Sequence, residues 1–136
     1  MKTTVNLLLV EDDDIEVMAI RRAFNKRQIA NPIHVACDGI EALNLLSAAA
    51  VPRPYLILLD LNMPRMNGLE FLQALRTDAA HRDAVVFVLT TSSAEQDKKA
   101  AYAANVAGYV GKADIGADFS GLVDLLERYL EVVNFP

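Results

Sequence analysis

A chain of 136 residues has room for one domain with a conventional buried core, residues 1–136, and for no second one. Its formal net charge of −5 lacks the basic footprint that nucleic acid selects, and its single cysteine, Cys37, excludes an internal disulfide and a thiolate metal cluster. Although 53% of the residues are hydrophobic, no apolar run approaches the ~20 residues that span a bilayer, and the start has no secretory h-region; a cytoplasmic protein without membrane attachment is expected.

The first predicted strand, residues 5–10, runs straight into four consecutive acids, Glu11 to Asp14. Ile15, Met18, Ala19, Arg22, Ala23 and Lys26 then follow helical spacing, with one of Asp12 to Asp14 placed to cap the helix. Asn31 and Pro32 end it, and residues 33–37 alternate as a second strand whose last residue, Cys37, reads as a small buried apolar group. Asp38-Gly39 marks a turn before a short helix over residues 40–49. The linker at residues 51–54 feeds Leu56, Ile57, Leu58 and Leu59, an unbroken apolar run that reads as a strand covered on both faces and ends on Asp60. Pro64 and Gly68 reverse the chain there, leaving the carboxylate at a loop mouth. Leu69, Phe71, Leu72 and Leu75 outline a third helix, and residues 78–83, with His81, a polar loop. A fourth strand, residues 85–89, ends on the hydroxyls of Thr90, Thr91, Ser92 and Ser93. Residues 93–104 begin with a hydroxyl and carry acids early and lysines later, the pattern of a capped helix of favourable dipole sign. A short strand at residues 107–110 precedes Gly111 and Lys112, and residues 119–133 form the last helix.

Five strands alternating with five helices predict an α/β fold with a five-stranded, doubly wound parallel sheet and right-handed crossovers. Ligands of such sheets collect at the carboxyl ends of the strands. Four strands deliver there an acid cluster, a lone Asp60, a hydroxyl cluster and Lys112. Singly, each is an ordinary solvated group at a strand end or helix start; together they are the inventory for a magnesium-assisted phosphoryl transfer. Glu11, Asp12 and Asp60 are candidate carboxylate ligands of Mg2+ or Mn2+, with the main-chain carbonyl of Asn62 as a neutral ligand. Asp60, alone on its loop, is the candidate nucleophile. Thr90 and Lys112 are candidate partners of the phosphoryl oxygens.

The stretches Leu8-Leu-Val-Glu-Asp12, Leu58-Leu-Asp-Leu-Asn-Met-Pro64, Asn67-Gly68, Val88-Leu-Thr90 and Gly108-Tyr-Val-Gly-Lys112 resemble the receiver domains of bacterial two-component response regulators, over nearly the whole chain. The resemblance implies the flavodoxin-like (βα)5 receiver fold without an output domain, and a sensor histidine kinase as partner. It implies Asp60 as phosphoacceptor, Glu11 and Asp12 as metal ligands, Thr90 and Lys112 at the phosphoryl group and Tyr109 as the switch aromatic. It also implies that Asn62 and Ser92 line the approach of the water that removes the phosphoryl group. Thr91-Ser92-Ser93 and the ending, residues 130–136, look most like stand-alone regulators paired with phytochrome-type kinases. One departure stands out: the family's proline after the lysine is replaced by Ala113. A cis non-proline bond costs roughly 2.5–4 kcal/mol, so Lys112–Ala113 is expected to be trans.

Two other readings compete. A magnesium-dependent hydrolase with an aspartyl nucleophile typically has a second Asp two residues on, where Asn62 stands. A receiver fold used only as an unphosphorylated binding module has no need of the intact Glu11, Asp12, Asp60, Thr90 and Lys112. With no output domain, the signal is expected to pass to a downstream protein through the fourth helix, last strand and last helix. On the last helix, Phe119, Val123, Leu126, Leu130 and Val133 make one apolar stripe, and Leu122, Leu125, Tyr129 and Val132 a second. Either loops and the tail with Phe135 cover the second stripe, or it pairs two copies in a symmetric homodimer through the last helix and tail.

Overall fold

The computed structural model describes residues 4–136. In chain order it contains β1 (Asn6–Val10), α1 (Asp14–Lys26), β2 (Ile33–Ala36), α2 (Gly39–Ser47), β3 (Tyr55–Leu59), α3 (Gly68–Thr77), β4 (Val85–Thr90), α4 (Glu95–Ala103), β5 (Gly108–Gly111) and α5 (Ser120–Val132), with a 3-10 turn over Lys112–Asp114. All strand pairs are parallel, in the order β2-β1-β3-β4-β5. This is the expected doubly wound α/β sheet.

Side-chain alternation along the strands explains why both faces are covered. Leu8, Val10, Ile57, Leu59, Val86 and Val88 join residues of α2 and α3, with Ala101 of α4, in one apolar cluster. Their neighbours Leu7, Leu9, Leu56, Leu58, Phe87 and Leu89 join α1 and α5 in the other. A period of two with both faces apolar gives an unbroken hydrophobic run. From β1 the chain crosses first to one side, to β2, and then to the other, to β3. The strand order therefore reverses between β1 and β3, and the crevice of the fold opens at their carboxyl ends, where Glu11 and Asp60 lie.

Several local expectations need correction. Cys37 is exposed, because β2 is an edge strand that stops at Ala36, and its Sγ lies 3.0 Å from Glu41 Oε2. The cap of α4 is Ala94, without a side-chain acceptor, so Ser93 does not fill that role; Ser92 Oγ accepts from the Ala94 amide at 3.3 Å instead. Glu95 and Asp97 occupy the first turn of α4 as its dipole favours, but no basic residue reaches the last turn. Leu122 is fully buried in the core with Val123 and Leu126, so it takes no part in a second surface stripe. Tyr129 packs edge-on against Phe87 at 4.9 Å and against Phe135 at 5.7 Å between ring centroids, so the tail covers this part of the helix. Leu125 and Val132 remain exposed.

Candidate functional site

The site starts from where strands stop. β1 ends at Val10, and the next residue, Glu11, turns its carboxylate inward, 3% exposed. Its Oε2 accepts from the amides of Asp12 at 3.1 Å and Asp13 at 3.4 Å. Asp13 is the acid that caps α1, accepting from the amides of Ile15 and Glu16. Asp12 is thereby left exposed at the mouth.

β3 ends one residue before Asp60, which is 7% exposed. The amide of Asn62 donates to Asp60 Oδ1 at 3.3 Å. The turn that follows is closed by Gly68, whose amide donates to the Leu61 carbonyl at 3.0 Å. A Cβ at this position would stand 2.6 Å from the Asp60 carbonyl oxygen and 2.7 Å from Leu61 Cα, so only glycine lets α3 begin this close to the phosphoacceptor candidate. Asn67 and Glu70 form a reciprocal capping box on the same helix start. Asp12, Leu61, Asn62, Met63, Pro64 and Asn67 line an open cleft beside the acids.

One carboxylate oxygen from each of Glu11, Asp12 and Asp60 lies within 4.8 Å of the other two. Hard oxygen donors at this spacing suit a small divalent cation. The fourth strand brings Thr90, fully buried, whose Oγ1 accepts from the Ser92 amide at 3.1 Å. Ser92 Oγ donates to Asp97 Oδ2 at 2.7 Å, and its carbonyl accepts from the Tyr109 hydroxyl at 3.2 Å. Thr90 and Tyr109 thus meet through the backbone of a single residue, Ser92. Lys112 arrives from the end of β5, paired with Thr90 through Gly111. Its Nζ lies 2.6 Å from Glu16 Oε2, 3.1 Å from Glu11 Oε1 and 3.9 Å from Asp60 Oδ1. The Lys112–Ala113 peptide is trans as expected, the one cis peptide among the described residues being Arg53–Pro54.

The acids perturb one another. Burial, then a hydrogen bond shared with Glu16 and the charge of Asp60, pushes the Glu11 carboxyl up to about 9. Burial also raises Asp60, against the opposing influence of Glu11, Lys112 and the Asn62 amide. Its hydrogen bond with Glu11, and then Lys112, holds Glu16 below the usual carboxylate range. Burial works to lower the Lys112 ammonium, but Glu16, Glu11 and Asp60 together outweigh it and the net shift is upward. Of the carboxylates around Lys112, Glu16 is the one drawn downward and the one nearest to the ammonium, so these two form the tightest ion pair of the cluster.

Three of the four strand-end groups meet here, with Glu11 and Asp12 from β1, Asp60 from β3 and Lys112 from β5, while Thr90 ends β4 between β3 and β5 and joins Tyr109 through Ser92. Sequence reasoning missed Glu16 because it belongs to a helix turn, not to a strand end. Its position three residues after the capping Asp13 was the available signal, since a glutamate there points back over the helix start.

The chain is similar to known proteins over almost all its length. The response regulator receiver domain family matches residues 7–118. Response regulator Rcp1 of Synechocystis sp. is 33% identical over 135 residues, which cover 96% of this chain and 92% of that protein. The Mn2+-bound crystal structure of Rcp1 superposes with a TM-score of 0.85 at 32% identity, covering 97% of this chain and 99% of that one. The phosphorylated cyanobacterial phytochrome response regulator RcpA superposes with a TM-score of 0.87 at 29% identity, covering 98% and 99%.

Proposed function

The chain belongs to the response regulator receiver domain family and is a response regulator of two-component signalling, and from that membership we propose that Asp60 accepts a phosphoryl group from a phosphohistidine of a sensor histidine kinase. The observation that carries this reading is the convergence of Asp60 with two further carboxylates and an ammonium at the β1/β3 crevice. An oxygen of Asp60 attacks phosphorus; the O–P bond forms as the P–N bond to the kinase imidazole breaks, and the electron pair leaves on the imidazole nitrogen. Glu11, Asp12, Asp60 and the main-chain carbonyl of Asn62 would hold Mg2+ or Mn2+, which supplies charge neutralisation for the phosphoryl oxygens. The likeness to a Mn2+-bound relative supports that cation.

Thr90 and Lys112 bind the new oxygens. The Thr90 oxygen already accepts from the Ser92 amide, so its proton is free to donate. When Thr90 turns to the phosphoryl group, Ser92 loses an acceptor, and the carbonyl on which the Tyr109 hydroxyl rests shifts with it. Tyr109 then turns inward, and the change reaches a downstream protein through the face of α4, β5 and α5. Asn62 and Ser92 flank the approach of the hydrolytic water. Neither is charged, and the Ser92 hydroxyl is engaged by Asp97, so self-dephosphorylation is slow to intermediate. Beyond accepting and losing its phosphoryl group the protein turns over no substrate. The likeness to RcpA, described as a phytochrome response regulator, supports a phytochrome-type kinase as donor.

Mass spectrometry after incubation with acetyl phosphate and Mg2+ tests this. Wild-type protein gains one phosphate and Asp60→Asn gains none; label surviving in Asp60→Asn overturns the assignment. In the same samples, a decay rate unaltered by combining Asn62→Glu with Ser92→Lys would overturn the role given to those two positions.

A further inference from the structure

We propose that Glu16 is a positioning residue that parks the Lys112 ammonium beside Asp60, and off it, until a phosphoryl group arrives. The inference rests on the cation and phosphoacceptor roles proposed above and adds a residue to them. The ammonium is nearest to Glu16, at 2.6 Å, next to Glu11, at 3.1 Å, and farthest from Asp60, at 3.9 Å. Its side chain is 12% exposed and that of Glu16 25%, so this is a partly desolvated pair, not one dissolved in bulk water.

A purely structural role for Glu16 is already filled by another residue. A glutamate three positions after a helix cap ordinarily reaches back to the amide of the capping residue. Here that amide, Asp13 N, faces Glu11 Oε2 at 3.4 Å, which also takes Asp12 N at 3.1 Å. Glu16 is thereby released from capping, and its carboxylate swings to the strand-end amine. No proline follows Lys112 to set the course of its loop, which instead enters a 3-10 turn over Lys112–Asp114. The side-chain ion pair supplies the placement.

The consequence is a division of labour among the anions. Glu11 and Asp60 are the oxygens that a divalent cation needs, and Lys112 is the cation that competes for them. With Glu16 present, the ammonium has a partner of its own, close enough to reach a phosphoryl oxygen on Asp60 but held on the α1 side. With Glu16 neutralised, the ammonium falls back on Glu11 and Asp60 and opposes the divalent ion directly.

A double-mutant cycle on binding of Mn2+ alone, read by water proton relaxation without any phosphodonor, tests this. Glu16→Gln is expected to weaken Mn2+ binding about tenfold in the wild-type background, and by less than about twofold in Lys112→Ala, where no ammonium remains to be displaced. Lys112→Ala alone is expected to tighten Mn2+ binding. Equal weakening by Glu16→Gln in both backgrounds would show Glu16 acting through its own charge or through folding, and would overturn the inference while leaving the cation site standing. A wild-type protein that binds no Mn2+ would overturn the cation site, and this inference with it.

Discussion

At the scale of single residues, Asp38 carries more than its place in a turn suggests. Its side chain is 2% exposed, accepts from the Glu41 amide at 2.9 Å to cap α2, and pairs with Arg65 through Nε at 2.6 Å and Nη2 at 2.5 Å. Arg65 itself sits in left-handed backbone, φ 62°, in the loop between Asp60 and α3. One buried carboxylate therefore joins the start of α2 to the loop that shapes the site. The Glu41 amide foremost, and then Arg65, holds the Asp38 carboxyl below its ordinary range, against its burial. A carboxyl depressed in the folded state adds stability that is present above its unfolded value of about 4 and is lost as pH falls through the folded value. Asp38→Asn keeps a capping oxygen but loses the charge, and is expected to cost about 1–2 kcal/mol at pH 7. Urea unfolding at neutral and at acid pH checks this: the gap between variant and wild type should close in acid, and a gap independent of pH would be contrary. From the sequence, Asp38-Gly39 reads as punctuation, because its partner lies twenty-seven residues away.

Among the α-helices, α4 buries the fewest residues. Ala101 is its one buried residue, and its start has no side-chain cap. It is secured at its ends by polar contacts. Near its start Ser92 bonds Asp97 and receives Tyr109, the contacts that phosphorylation is proposed to disturb. At its end the Arg76 guanidinium, on the last turn of α3, donates to the carbonyls of Ala104 at 2.7 Å and Asn105 at 3.0 Å, and also to Arg82 and Ala84 at 2.8 Å each. A helix fastened at its far end and lightly held at the near one turns about the fastened end when the near contacts change. Arg76→Ala leaves these carbonyls without their donor and is expected to cost about 2 kcal/mol and to speed amide exchange across α4. Arg76→Lys should restore only part, since one ammonium does not span four carbonyls. Exchange measured by mass spectrometry decides; protection of α4 unaltered in Arg76→Ala would remove Arg76 from this role. Periodicity gave α4 its position, but not this fastening, because an arginine in a last helical turn looks like any solvated one.

For the whole molecule, the open matter is self-association. Tyr129 under Phe135, and Leu122 in the core, reduce the apolar surface of α5 to Leu125 and Val132, 39% and 66% exposed. Two such side chains per copy make a small patch beside the ~1,600 Å² of a standard interface. A homodimer through this helix and tail is therefore proposed to be weak and concentration-dependent. Sedimentation should show a dimer at high micromolar protein that Leu125→Asp or Val132→Asp abolishes, and a dimer indifferent to both would place the contact elsewhere. The sequence by itself determined the parallel sheet, the order of elements and which residues stand at the carboxyl ends of its strands. Those rest on local signals: unbroken apolar runs, turn residues after them, and the rule that a parallel sheet gathers its carboxyl ends on one edge. Only the tertiary structure decided that Glu16 holds Lys112, that Arg76 fastens α4, that Asp38 holds Arg65 and that the tail covers Tyr129. Each of these joins side chains from different elements, and which of them meet depends on how helices lie on the sheet, a relation that no periodicity within one segment records.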